Sequence, residues 1–236
     1  MVLEAASVCF VREKSNTEMI TCCIFDLDGV LVDTARFHYR AWADMAHDLG
    51  FEFTPEQGEA TKGVSRMASL DIVLCVGGME NRFSPEEKER LASEKNARYL
   101  NYVSTMTPDD VLPGVRAFLA DLKRNGVKIA LGSASKNAGT ILDRCALRDV
   151  FDAIVDGTLV SRAKPDPEVF SKGAELLGIA PERCVVFEDA AAGIEAATRA
   201  GMRSVGVGGD KLLARATMAI MTFENFTYDA LCKTID

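Results

Sequence analysis

Five short β-rich runs, "CCIF" (22–25), "VKIALG" (127–132), "AIVD" (153–156), "CVVFE" (184–188) and "SVGVG" (204–208), alternate with amphipathic helical stretches along most of the chain. That alternation is the pattern of a parallel sheet with helices on both faces, so the chain is expected to be an α/β protein with a doubly wound sheet. "MAIMTF" (218–223) is a candidate sixth strand. The intervening helices are well punctuated: Pro113 opens one that Gly126 ends, Pro165 and Pro167 open another that Gly178 ends, and Gly201 closes the helix after Asp189.

One segment breaks the rhythm. Between 34 and 108 there is no convincing strand, whereas Phe37, Ala41, Met45 and Leu49 recur at helical spacing before Gly50. Thr54 with Gln57, and Ser84 with Pro85 and Glu87, read as capping boxes that open further helices. About 75 residues is far more than the dozen or so that a crossover between parallel strands needs. The expected organisation is therefore a core domain of 19–33 and 109–236, a helical cap domain of 34–108 inserted after the first strand, and an extension of 1–18 with no assigned role. The alternative is extra helices packed on the sheet without forming a lid.

The bulk properties narrow the function. A net charge of −8 should repel polyanions, which argues against a nucleic-acid partner and leaves small anions as ligands of a local basic cluster. No apolar run approaches the ~20 residues of a spanning helix, and 1–18 lacks the basic start of a signal peptide. The seven cysteines are scattered with no CxxC spacing, as expected of reduced core thiols in a cytoplasmic protein.

Asp26 and Asp28 follow the first strand, with Gly29 allowing a sharp turn there. Two close carboxylates repel, so a cation or a raised pKa must compensate. Glu188 and Asp189 end another strand in the same way, and oxygen ligands from two strand ends suit Mg²⁺. Lys164 supplies a further positive charge and Ser133 a hydroxyl after "VKIALG". Taken alone, either acidic pair is equally consistent with capping a helix N-terminus.

"DLDGV", "GSASKN", "AKPDP" and "FEDAAAG", in that order, resemble the four motifs of the haloacid dehalogenase superfamily. The resemblance covers nearly all of the chain after Met19. It implies a Rossmann-like core that brings Asp26, Ser133 and Asp189 together. It also implies Asp26 as a nucleophile that becomes an aspartyl phosphate, and Asp28 as general acid and base. Ser133 and Lys164 would contact the transferring phosphoryl group, and Mg²⁺ would be held by Asp26, the Asp28 backbone carbonyl, Glu188 and Asp189.

Within that superfamily, "DLDGVLVDTARFHYRAWADMAHDLG" and "KGVSR" followed by "LDIVL" resemble the branch that moves a phosphoryl group between the two ends of β-glucose through a 1,6-bisphosphate. That likeness implies a specificity loop of Lys62, Gly63, Val64 and Arg66, with Arg66 gripping the phosphate that is not transferred. Ser135, Lys136 and Asn137 would complete that grip from the core, and His38 would couple Asp28 to cap closure. Sugar phosphates are the implied partners and a monomer the expected form. A sugar-phosphate phosphatase with the same core, and an idle phosphate-binding relative, remain the alternatives. The sequence departs from its relatives at Ala190 and Ala191, where polar side chains are often found after the acidic pair.

Overall fold

The computed structural model describes residues 19–62, 64–209 and 215–235. The extension at 1–18 and Gly63 lie outside the described residues. Six strands form one wholly parallel sheet: β1 (Cys22–Phe25), β2 (Lys128–Gly132), β3 (Ala153–Val155), β4 (Cys184–Glu188), β5 (Arg203–Val207) and β6 (Met218–Ile220), in the order β3-β2-β1-β4-β5-β6. All six expected strands are present. β6 stops at Ile220, three residues short of the expected end, because its partner β5 ends at Val207, the residue paired with Ile220.

Side chains alternate across β1, so its two faces enter two different cores. Cys22 and Ile24 pack with Ala130, Phe170 and Val186 on one face. Cys23 and Phe25 pack with Phe118, Phe187 and Phe223 on the other. The Phe25 and Phe187 rings stack at 4.6 Å and 10°, directly before Asp26 and Glu188 in the chain. Phe25 also pairs in register with Leu131 and Phe187, which fixes the ends of the two neighbouring strands level with Asp26.

Helices α1 (Ala35–Asp48), α2 (Pro55–Gly58), α3 (Arg66–Val76) and α4 (Pro85–Val103) occupy the strand-free segment. Both capping boxes form: Thr54 accepts from the Gln57 amide while the Gln57 side chain accepts from the Thr54 amide, and Ser84 and Glu87 do the same. These helices bury a third cluster of their own, built on Trp42, Met45, Phe53, Leu70, Val73, Leu74 and Leu91. Beyond them, α5 (Val115–Arg124), α6 (Ala138–Arg144), α7 (Glu168–Leu177), α8 (Ala191–Arg199) and α9 (Tyr228–Ile235) belong to the sheet layers. Cys22, Cys23, Cys145 and Cys184 are buried free thiols, as expected, whereas Cys75 is exposed.

Candidate active site

The carboxyl ends of β1 and β4 and the loop before α7 meet beneath α1 and α4 in a cleft of about 660 Å³. Asp26 is the first residue past β1 and stays in the ladder through its amide, which donates to the Phe187 carbonyl at 2.9 Å. Its carboxylate accepts from Lys164 Nζ at 2.6 Å, and the same ammonium donates to Glu188 at 2.5 Å. Burial opposes a charge on Lys164, but Asp26 and Glu188 hold its pKa above the usual lysine range. Phe170 closes the site below, with Lys164 Nζ 4.8 Å from its ring centre.

Asp26, Glu188 and Asp189 bring one oxygen each to within 4.8 Å of one another. Burial, followed by the charges of Glu188 and Asp26, pushes the Asp189 carboxyl well above its ordinary range. One lysine does not balance three carboxylates in so small a volume, and hard oxygen donors in this number fit a divalent cation. Gly29 is part of the cradle. Its φ is +79°, and a Cβ there would lie 2.1 Å from Asp189 Oδ2. Glu188 also accepts from the Ala190 amide at 2.9 Å, so this residue partly serves the helix-capping role that is the simpler reading of an acidic pair.

Asp28 stands apart from the three-acid cluster. Its carboxylate accepts from the Thr34 hydroxyl. Burial and the negative charge of Asp26 push its pKa up to about 6. Ser133 does not line the cleft: it is buried, with its amide on the Val155 carbonyl at 3.0 Å and its Oγ accepting from the Ser135 amide at 3.1 Å. Ser135 Oγ in turn accepts from the Asn137 amide at 3.2 Å.

The lining of the cleft carries the remaining expected residues among those described. His38, Lys62, Val64, Arg66, Ser135, Lys136 and Asn137 all line it. Lys62 is paired with Glu59 at 2.8 Å. Burial lowers the Arg66 pKa. His38 is held well below the usual range by burial and then by the charges of Lys95 and Arg66, so its imidazole is neutral. Four further residues belong to the site: Thr34, Trp42, Lys95 and Asn96. Lys95 had a signal in the sequence, since it shares a helical face with Leu91, Ala92, Tyr99 and Val103 and is a charge where an apolar residue would serve.

The family model of haloacid dehalogenase-like hydrolases matches residues 20–201. The β-phosphoglucomutase of Bacillus subtilis is 41% identical over 208 residues, covering 88% of this chain and 92% of that protein. The phosphorylated carbohydrates phosphatase of Thermotoga maritima is 32% identical over 184 residues, 77% of this chain and 82% of that protein. The crystal structure of β-phosphoglucomutase from Clostridium difficile superposes with a TM-score of 0.87 at 41% identity, covering 92% of this chain and 97% of that one. With an acidic strand-end cluster, a buried lysine and an inserted helical segment all in place, the chain is an enzyme that belongs to the haloacid dehalogenase-like hydrolase family.

Proposed function

We propose that the enzyme is a β-phosphoglucomutase, interconverting β-glucose 1-phosphate and glucose 6-phosphate. The observation that carries this reading is a single cleft lined both by Asp26 and Lys164 and by Arg66, Lys136 and Asn137, with Arg66 and Asn137 brought together on one oxygen of Asn96. A substrate with phosphate at both ends of a sugar suits such a cleft. The similarity to β-phosphoglucomutases supports the same reading.

Asp26 is the nucleophile. A carboxylate nucleophile needs no base to activate it, but it must approach an anionic phosphoryl group. Lys164, 2.6 Å from Asp26, reduces that repulsion and stabilises charge on the transferring oxygens. Asp26, Glu188, Asp189 and the Asp28 backbone carbonyl would hold Mg²⁺, which when bound supplies the remaining charge neutralisation at the phosphoryl oxygens.

In the first half-reaction the phosphorylated Asp26 gives its phosphoryl group to the 6-hydroxyl of β-glucose 1-phosphate. The hydroxyl oxygen bonds to phosphorus, the bond from phosphorus to the Asp26 oxygen breaks, and Asp28 takes the hydroxyl proton. The bisphosphate turns end for end. Asp26 then attacks the phosphorus on the C1 oxygen, and Asp28 returns its proton to that leaving oxygen, releasing glucose 6-phosphate. A pKa near 6 suits Asp28 to both directions. The cap of 34–108 excludes water while the phosphoaspartate waits for its acceptor.

The test is turnover of β-glucose 1-phosphate, beside its α anomer, with Mg²⁺ and a bisphosphate primer. Glucose 6-phosphate from the β anomer alone, followed with a coupled dehydrogenase, is the expected result. Inorganic phosphate as the main product would make the enzyme a sugar-phosphate phosphatase.

A further inference from the structure

At the distal end of the cleft one oxygen joins the cap to the core. Arg66 opens α3 and Asn96 lies on α4, both in the helical insert, whereas Asn137 directly precedes α6 beside the sheet. Arg66 Nη2 donates to Asn96 Oδ1 at 2.8 Å, and Asn137 Nδ2 donates to that same oxygen at 3.1 Å. Arginine has donors only, so Asn96 must present its oxygen to Arg66, and Asn137 must then present its amide nitrogen. The orientation of both amides follows from the chemistry.

The choice of a neutral acceptor matters. Among the described residues Arg66 has no carboxylate within ion-pair distance, and its charge reaches Lys95 and His38, lowering the pKa of each. An aspartate at 96 would orient Arg66 equally well and would cancel the charge that attracts an anion. Asparagine provides the geometry and leaves the charge uncompensated.

We propose that Asn96 is a positioning residue for the distal phosphate: it aligns Arg66 from the cap and Asn137 from the core as one convergent pair, and it leaves the charge of Arg66 uncompensated. This rests on the reading above that the Arg66 end of the cleft receives the phosphate that is not transferred. The coupling also runs from ligand to cap, since an anion that engages Arg66 and Asn137 together draws the two parts of the chain onto each other.

Asn96→Ala and the near-isosteric Asn96→Asp test it, each compared with the wild-type enzyme by thermal melting so that folding is monitored. Two reactions are measured: mutase turnover of β-glucose 1-phosphate, and phosphorylation of Asp26 by acetyl phosphate, a donor with no second phosphate, followed by phosphorus NMR. Asn96→Ala should raise KM for the sugar phosphate about tenfold, the equivalent of one charge-assisted hydrogen bond, with a smaller change in kcat. Asn96→Asp should raise it further, and both variants should lose far less in phosphoryl transfer from acetyl phosphate than in turnover of the sugar phosphate. An unchanged KM in either variant, an equal loss with acetyl phosphate, or tighter binding by the Asp variant than by the Ala variant would overturn the assignment. A wild-type enzyme that takes a phosphoryl group from acetyl phosphate but turns over no sugar phosphate would instead overturn the mutase reading, and this proposal with it.

Discussion

Lys95 carries its ammonium into the interior of the helical insert, where it is 2% exposed. Its Nζ lies 2.9 Å from His38 Nδ1 and 4.4 Å from the centre of the Trp42 ring. Burial, and then the charge of Arg66, pulls its pKa down to about 7. An unfolded lysine titrates near 10.4, so the folded state binds this proton more weakly and the charge destabilises the fold. The full cost applies below about pH 7 and shrinks as the pH rises toward 10, where the unfolded chain also releases its proton. Lys95→Met should therefore stabilise the enzyme by roughly 2–4 kcal/mol at pH 7 and by much less near pH 10, with loss of turnover. Melting curves at the two pH values check this, and equal gains at both would refute the assignment. Asp26→Asn should abolish phosphoryl transfer while leaving the melting temperature near that of the wild type, because the amide keeps the shape but lacks nucleophilicity. Normal turnover by that variant would remove Asp26 from the mechanism.

Among the elements, α7 holds the loop that delivers Lys164. The Glu168 carboxylate accepts from the Ser161 amide at 3.0 Å, the Ser161 hydroxyl at 2.9 Å, the Arg162 amide at 2.8 Å and Lys172 Nζ at 2.8 Å. Lys172, and then the amides and hydroxyl of the loop, hold the Glu168 carboxyl down at about 2, so it remains an acceptor at any pH at which the enzyme works. Lys172 adds a bond to the Leu159 carbonyl at 2.6 Å. Glu168→Ala should let this loop drift and lower kcat by up to ~100-fold with little change in KM, since a small displacement of a catalytic group costs that much. A KM effect without a kcat effect would mean that the loop serves binding rather than Lys164. Elements such as α7 were legible because they are locally encoded: Pro167 and Gly178 bracket the helix, and the capping boxes at Thr54 and Ser84 form as spaced. The acidic pairs were legible because each directly follows an apolar strand. Asn96 was not, since its partners lie on another helix and across the cleft, and a polar residue on a helix carries no mark of what it will face; Thr34 was not, since it reaches Asp28 only through the turn that the intervening loop makes.

Across the whole molecule, the central position of β1 explains why one strand end gathers the acidic groups: β4 brings Glu188 and Asp189 to one side of Asp26, while β2 on the other leads into the cleft-lining Ser135, Lys136 and Asn137. The insert follows directly after this strand, so its first helix begins within a few residues of Asp28. The chain has a single tryptophan, and it stands on α1 in the lining of the cleft against the Lys95 ammonium. The enzyme thus contains its own optical probe: light absorbed by this one indole is emitted from the cleft and from nowhere else. Adding a sugar phosphate should change the intensity or wavelength of that emission in a saturable way, with a midpoint that follows binding. Trp42→Phe should darken the signal, and a spectrum indifferent to substrate during active turnover would show that the indole does not sense the filling of the cleft.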